Sequence, residues 1–194
     1  MLGMLGVSGS AASTFAAFPR EQLSPSAWVD FLHLVALGKP GVRVKVLEPG
    51  RRELARWCTR YGFGWNCDTE GFCCVAATKY LADRILEVDR RIEPHELDLG
   101  VLLGYPPCCC QAVAELGESR IDELAAAINS WEFRHRFRFI DPSGYTQGAS
   151  LICHLPCSPS CEASLNIAIR AARFLRGRLG DPAFASWSRW AQLL

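Results

Sequence analysis

The distribution of cysteine most restricts what this chain can fold into. The 194 residues include ten cysteines, and six of these lie in two short clusters, at 108–110 and 153–161. Prolines precede cysteines in both clusters, as at the start of a helix, where unpaired N–H groups and the helix dipole stabilise a thiolate. Because thiolate is the form of cysteine that binds metals, we expect two facing helix starts to form one thiolate site.

The length of the chain suggests one domain with a core large enough to fold without disulfides. A net charge of +1 argues against a nucleic-acid protein that relies on bulk electrostatics, and 49% hydrophobic residues argue against disorder. No stretch approaches the roughly 18 to 20 apolar residues of a membrane span. We therefore expect a protein of the reducing cytoplasm, where clustered cysteines bind metal or perform redox chemistry more often than they form disulfides.

The predicted organisation is a flexible leader followed by one domain. Residues 1–22 are rich in small apolar residues, and no Lys or Arg precedes Arg20, so the basic region of a signal peptide is missing. Residues 23–194 are predicted to form the domain, with an α/β part at 23–92 and a helical part carrying the metal site at 93–194.

Periodicity and capping residues predict an α+β fold, in which a small N-terminal α/β layer with a few strands precedes a mainly helical, cysteine-rich half. Ser24, Pro25 and Gly38 delimit the first helix, and Val42–Val46 alternates like a strand with one buried face. The other predicted helices span about 51–61, 78–91, 96–103, 108–116, 121–130, 159–178 and the segment after 181, and the other predicted strands span 72–76 and 132–139. The last helix carries Phe184, Trp187 and Trp190, an aromatic face suited to packing or to a homo-oligomer.

The predicted metal ligands combine both clusters. Consecutive residues of a helix point about 100° apart, so at most two of the cysteines at 108–110 can reach one ion. The second cluster places His154 three residues before Cys157, in the pattern H-x-x-C-x-x-x-C that ends at Cys161. A set of Cys and His fits tetrahedral zinc or an iron–sulfur cluster, and the spacing does not choose between them. The other four cysteines, Cys58, Cys67, Cys73 and Cys74, are expected to be small buried core residues.

Two blocks of this half resemble the signature blocks of a prokaryotic protein family of unknown function. The segment 104–109 resembles a G-Y-P-x-C-C block, and the segment 154–164 resembles an H-x-P-C-S-x-x-C-x-x-S block. The resemblance spans roughly residues 97–172 and implies no reaction. It implies a working site composed of Cys108, Cys109, His154, Cys157 and Cys161, with Tyr105 and Ser164 nearby.

The leading functional hypothesis is an enzyme with a cysteine-ligated [4Fe–4S] cluster held by Cys109, Cys157 and Cys161. An open iron would support sulfur transfer or Lewis-acid chemistry on a small anionic substrate. Cys108, Cys110 and Tyr105 are the candidate catalytic residues, and one of the two cysteines could hold a persulfide. The candidate substrate-binding residues are Arg134, Arg136 and Arg138, on one face of the predicted strand at 132–139.

Two alternatives belong to other classes. One is a non-catalytic interaction module, in which Cys109, His154, Cys157 and Cys161 close a structural zinc site. The other is a metal-free thiol enzyme that uses a persulfide or a labile disulfide at 108–110. None of these hypotheses involves a nucleic acid or a membrane as partner.

Overall fold

The structure, a computed structural model, describes residues 13–14, 17–19, 23–117, 120–121, 123, 140, 142 and 150–176. These residues include three strands, β1 (Gly41–Lys45), β2 (Gly64–Cys67) and β3 (Phe72–Ala76). They also include six helices, α1 (Pro25–Leu37), α2 (Gly50–Tyr61), α3 (Lys79–Asp89), α4 (Glu96–Leu102), α5 (Pro107–Leu116) and α6 (Glu162–Arg176). The predicted α+β class is confirmed, because the sheet lies in the N-terminal half and the cysteine cluster in the helical half.

The sheet is antiparallel, with the strand order β1-β3-β2. In β1 the side chains of Val42 and Val44 are buried while Lys45 is exposed, as the alternating sequence predicts. The strand β2 was not predicted, since Gly-Trp-Asn-Cys is short and all four of its residues are half-buried, so no alternation marks it.

One expectation about the N-terminal cysteines is confirmed only in part, since Cys73 is a buried core residue as predicted but Cys67 is half-buried. Cys67 and Cys73 face each other across β2 and β3 and form a disulfide, instead of serving as free core thiols. Cys58 and Cys74 are buried free thiols, as predicted. Burial raises the pKa of each to about 12, so both stay protonated and apolar.

One continuous core joins the two halves of the described chain. It contains side chains of α1, α2 and the sheet together with Cys109, Cys161 and the buried face of α6. Phe18 also lies in this core, with its ring centroid 4.1 Å from that of Phe31, although the sequence places it in the predicted leader. The cysteine cluster therefore lies at the edge of the main core.

The helix boundaries agree with the predicted ones to within about two residues, except at the start of the last described helix. Residues 158–160 form a turn, closed by the Cys161 N–H donating to the Ser158 carbonyl at 3.2 Å, and α6 begins at Glu162. Most of the predicted helix at 121–130, together with the predicted strand at 132–139 and the predicted helix after 181, lies outside the described residues. No helix in the described ranges has the length and apolar character needed to cross a membrane.

Candidate metal centre

Four cysteine sulfurs, those of Cys108, Cys109, Cys157 and Cys161, lie within 4.8 Å of one another. The Sγ atom of Cys161 is 3.7 Å from that of Cys108 and 3.6 Å from that of Cys109, and the two adjacent sulfurs of α5 are 3.9 Å apart. Such a group of soft sulfur ligands could bind a metal.

The start of α5 places two of these sulfurs on the same side. Pro107 occupies the first turn of the helix, and the N–H groups of Cys109 and Cys110 both donate to the Pro106 carbonyl, at 2.9 and 3.0 Å. Cys108 and Cys109 point towards the cluster, while the Cys110 thiol points away and donates to the Tyr105 carbonyl at 3.6 Å. Two of the three consecutive cysteines therefore join the group, as the helical geometry predicts.

The other two sulfurs come from the loop that leads into α6. Cys161 immediately precedes the helix, and its carbonyl accepts the Leu165 N–H at 2.9 Å, the first bond of the helical ladder. Cys157 lies four residues earlier, on the loop itself, and is half-buried. The cluster thus joins α5 to α6 across a sequence separation of 53 residues, between Cys108 and Cys161.

Several hydrogen-bond donors surround the two buried sulfurs. The Ser164 hydroxyl is 3.3 Å from Cys161 Sγ and 3.4 Å from Cys109 Sγ, and it is fully buried. The backbone N–H of Ser164 also bonds to Cys161 Sγ, and that of Cys157 bonds to Cys109 Sγ. Donors placed in this way favour sulfur that carries negative charge.

The thiols of the cluster differ in their tendency to ionise. Burial opposes ionisation of Cys161, but hydrogen bonds from Ser164, Cys109 and Cys157 outweigh it and lower the pKa to about 7. Burial raises the pKa of Cys157 to about 11 and that of Cys109 well above its usual value. One thiolate therefore forms readily, and a bound cation would be needed to ionise all four thiols at neutral pH.

His154, predicted as a ligand, lies outside the group of four sulfurs. Its Nε2 atom is 2.8 Å from the Ser164 hydroxyl, so it contacts the cluster through Ser164. Burial, assisted by the charge of Lys39, lowers the pKa of His154 to about 3, so the ring is neutral. A neutral imidazole that donates from Nε2 frees the hydroxyl proton of Ser164 to point at a sulfur.

Tyr105, predicted as a catalytic residue, packs beside this histidine. The ring centroids of Tyr105 and His154 are 5.3 Å apart, and burial raises the pKa of the tyrosine. The predicted substrate-binding residues Arg134, Arg136 and Arg138 lie outside the described part of the chain.

The sequence analysis missed a buried ion pair next to the site. Lys39 Nζ is 2.5 Å from Asp30 Oδ1 and 3.1 Å from Cys153 Sγ, and the side chains of both charged residues are at most 5% exposed. Burial alone would lower the pKa of Lys39, but the Asp30 carboxylate holds it well above its usual value. The signal in the sequence was Asp30 itself, the one acidic residue in the apolar run at 28–37.

Two cavities lie on the side of the cluster where Tyr105, Cys153 and His154 are found, and these three residues line both. The larger, about 510 Å³, is also lined by Cys109 and Cys110. The smaller, about 130 Å³, also borders His33, Lys39 and the end of α1. Small molecules therefore have room beside the cysteines.

Comparison of the chain with protein-family models, with curated proteins and with solved structures finds no match. The resemblance of the two cysteine blocks to a prokaryotic family of unknown function stays a prediction. The candidate metal centre accordingly rests on the geometry of its four sulfurs.

Proposed function

We propose that Cys108, Cys109, Cys157 and Cys161 bind one zinc ion. This ion would link the start of α5 to the loop that leads into α6. The distances between the sulfurs are the observation that carries the proposal. Tetrahedral zinc with Zn–S bonds of about 2.3 Å places its sulfurs about 3.8 Å apart. The three Sγ–Sγ distances among Cys108, Cys109 and Cys161 are 3.6, 3.7 and 3.9 Å, close to that value, and Cys157 Sγ lies within 4.8 Å of all three.

The same spacing favours one ion over a larger cluster. In a [4Fe–4S] cluster each cysteine binds a different iron, so the sulfurs stand further apart than four sulfurs that share an ion. Four thiolates in closed tetrahedral coordination are a common structural zinc site. This ligand set replaces the three cysteines and His154 of the sequence-based zinc alternative.

The charge of the site also supports the proposal. Four thiolates around Zn²⁺ carry a net charge of −2, and burying that charge requires compensating dipoles. The Ser164 hydroxyl and the backbone N–H groups of Ser164 and Cys157 supply them at the two buried sulfurs. The ion would then add its binding free energy to the stability of the fold, since the unfolded chain holds these ligands far apart.

Metal analysis of the full-length protein purified without air tests the proposal. We expect one zinc per chain and, after substitution with Co²⁺, the absorption of a tetrathiolate site. The Cys109→Ser variant should lose the metal, whereas the matched variant Cys110→Ala, at the neighbouring thiol outside the cluster, should retain it. Protein that binds no metal, or that binds iron with acid-labile sulfide, would contradict the proposal.

A second candidate function is supported by the cavity of about 510 Å³ beside the cluster. The cavity reaches Cys109, Cys110, Tyr105 and His154, so a small substrate could approach the centre there. In that case the centre would be an iron–sulfur cluster with an open iron, and Cys110 would be placed to hold a persulfide for sulfur transfer. Iron and sulfide in the anaerobic preparation would decide for this candidate and against the zinc centre.

A further inference from the structure

The four sulfurs of the cluster are not equally protected. Cys109 and Cys161 are buried, at 2% and 5% exposure, and both contact the Ser164 hydroxyl. Cys108 is exposed and Cys157 is half-buried. Buried, hydrogen-bonded thiolates react slowly with solutes, so the exposed Cys108 is the sulfur of the cluster that solutes reach most easily.

From this asymmetry we infer that Cys108 is the site at which hydroperoxides oxidise the centre and release its metal. The inference rests on the proposed zinc centre and adds a chemical reactivity to it. Metal-bound sulfur keeps thiolate character, and exposure gives a hydroperoxide access to it.

Cys157 is the partner that completes the oxidation. Its sulfur lies within 4.8 Å of Cys108 Sγ, and it belongs to the loop before α6, which can move without breaking a helix. Cys109 is adjacent to Cys108 in the chain, and a disulfide between adjacent residues is strained. Cys161 is held in place by the Ser164 hydroxyl and by the first bond of α6.

With hydrogen peroxide as the hydroperoxide, the reaction balances with one molecule of the oxidant. The Cys108 thiolate attacks a peroxide oxygen, the O–O bond breaks, and a sulfenic acid and hydroxide form. The Cys157 thiolate then attacks that sulfur, so the S–S bond forms and the S–O bond breaks, with loss of a second hydroxide. Two protons from solvent convert both hydroxides to water. The two sulfurs lose two electrons in total, and zinc stays Zn²⁺ and leaves because two of its four ligands are gone.

Treatment of the zinc-loaded, full-length protein with hydrogen peroxide tests the inference. Zinc content is measured first, so absence of zinc would refute the proposed centre before the oxidation is examined. We expect one equivalent of peroxide to release the zinc and to consume two of the eight free thiols. Peptide mapping should find a Cys108–Cys157 disulfide in addition to the Cys67–Cys73 bond that is already present.

Two further measurements do not depend on variants of the ligands. Brief alkylation of the zinc-loaded protein should label Cys108 before the two buried sulfurs of the cluster. The variant Cys58→Ala should release zinc at the wild-type rate, because this buried free thiol lies outside the cluster. Retention of zinc in excess peroxide, a disulfide that joins Cys109 to Cys161, or first labelling at a buried sulfur would overturn the inference.

Discussion

At the scale of single residues, Ser164 connects both buried sulfurs to His154. Its hydroxyl lies 3.3 and 3.4 Å from the sulfurs and 2.8 Å from the imidazole. Removing a group that supports metal ligands typically weakens metal binding about 10- to 100-fold. We therefore expect Ser164→Ala to lose zinc to a competing chelator at a correspondingly lower chelator concentration. The exposed Ser160→Ala is the matched control, and equal zinc affinity in the two variants would refute this role.

A second prediction concerns the buried Asp30–Lys39 ion pair. Replacing Lys39 with Met keeps the size of the side chain but leaves the Asp30 carboxylate buried without its cation. Such a loss typically costs about 3–5 kcal/mol, whereas replacing both charges with apolar residues is often nearly neutral. Urea denaturation should show this loss for Lys39→Met and recovery of most of it in Lys39→Met/Asp30→Leu. A single variant within about 1 kcal/mol of wild type would mean that the pair behaves like an exposed one.

The buried His33 should make the free energy of unfolding depend on pH. Its Nε2 is 2.9 Å from the Leu151 carbonyl. Burial, followed by the charge of Lys39, lowers its pKa from 6.5 to about 4, against the opposing effects of the Leu151 hydrogen bond and of Asp30. The unfolded chain takes up a proton near pH 6.5, while the native chain does so only near pH 4. The His33 contribution is therefore complete above pH 6.5 and is lost as pH falls towards 4, by about 3 kcal/mol in all.

The measurement is the slope of unfolding free energy against pH between 6.5 and 4, in wild type and in His33→Gln. Acid would also release the proposed zinc ion, but that effect would be the same in both proteins and would cancel in the difference. Equal slopes for wild type and His33→Gln would show that the native ring accepts a proton at its ordinary pKa.

How far the sequence predicts a residue depends on whether its role is local. Cys108 and Cys109 follow from the start of one helix, and the paired proline and cysteine pattern is visible in the sequence. His154 has the right spacing for a ligand, yet its ring turns to Ser164, ten residues later, because the burial of both residues brings them together. The partnership of Lys39 with Cys153 spans 114 residues and leaves no local pattern.

At the scale of elements, the contact between α4 and α5 depends on Gly100. A Cβ atom at this position would lie 2.6 Å from Cys110 Sγ and 3.3 Å from Cys110 Cβ. Alanine favours the helix by about 1 kcal/mol over glycine, but overpacking a buried contact typically costs about 1–3 kcal/mol. We expect Gly100→Ala to lower the free energy of unfolding by up to about 2 kcal/mol.

The combined variant Gly100→Ala/Cys110→Ala separates this clash from other effects. Removing the sulfur removes the nearest atom, so the Gly100→Ala substitution should be neutral or stabilising in the Cys110→Ala background. Chemical denaturation of the four proteins of this double-mutant cycle measures the coupling, which we expect to be about 1–3 kcal/mol. Additive effects of the two substitutions would show that the helices tolerate the extra methyl group.

Elements could be predicted where their signals are local. The helix α1 has Pro25 inside its start and Gly38, with a positive φ of 76°, just past its end, and both ends were predicted correctly. The strand β2 has no alternation of its own and exists through its pairing with β3. The start of α6 was predicted about three residues too early, since Pro159 also suits the turn that places Cys157 and Cys161 on the cluster.

At the scale of the whole molecule, the proposed zinc centre and the core should unfold as one unit. Cys109 and Cys161 belong to the same hydrophobic core as the buried residues of α1, α2 and the sheet. In the described residues, the site therefore shares its core with the N-terminal half. A ligand that binds only the native state adds about 2.7 kcal/mol of stability at a free concentration 100 times its dissociation constant. Removing zinc should therefore lower the thermal midpoint of the entire described fold.

Hydrogen exchange followed by mass spectrometry, with and without a zinc chelator, checks this prediction. If the unit is cooperative, protection falls together in peptides of β1, β3, α5 and α6. The Cys161→Ser variant lacks one zinc ligand and should bind the ion weakly. Its protection should therefore stay at the level of the chelator-treated protein at every zinc concentration. Protection that falls only around α5 and α6, while the sheet stays protected, would contradict one cooperative unit and confine the role of the metal to the helical half.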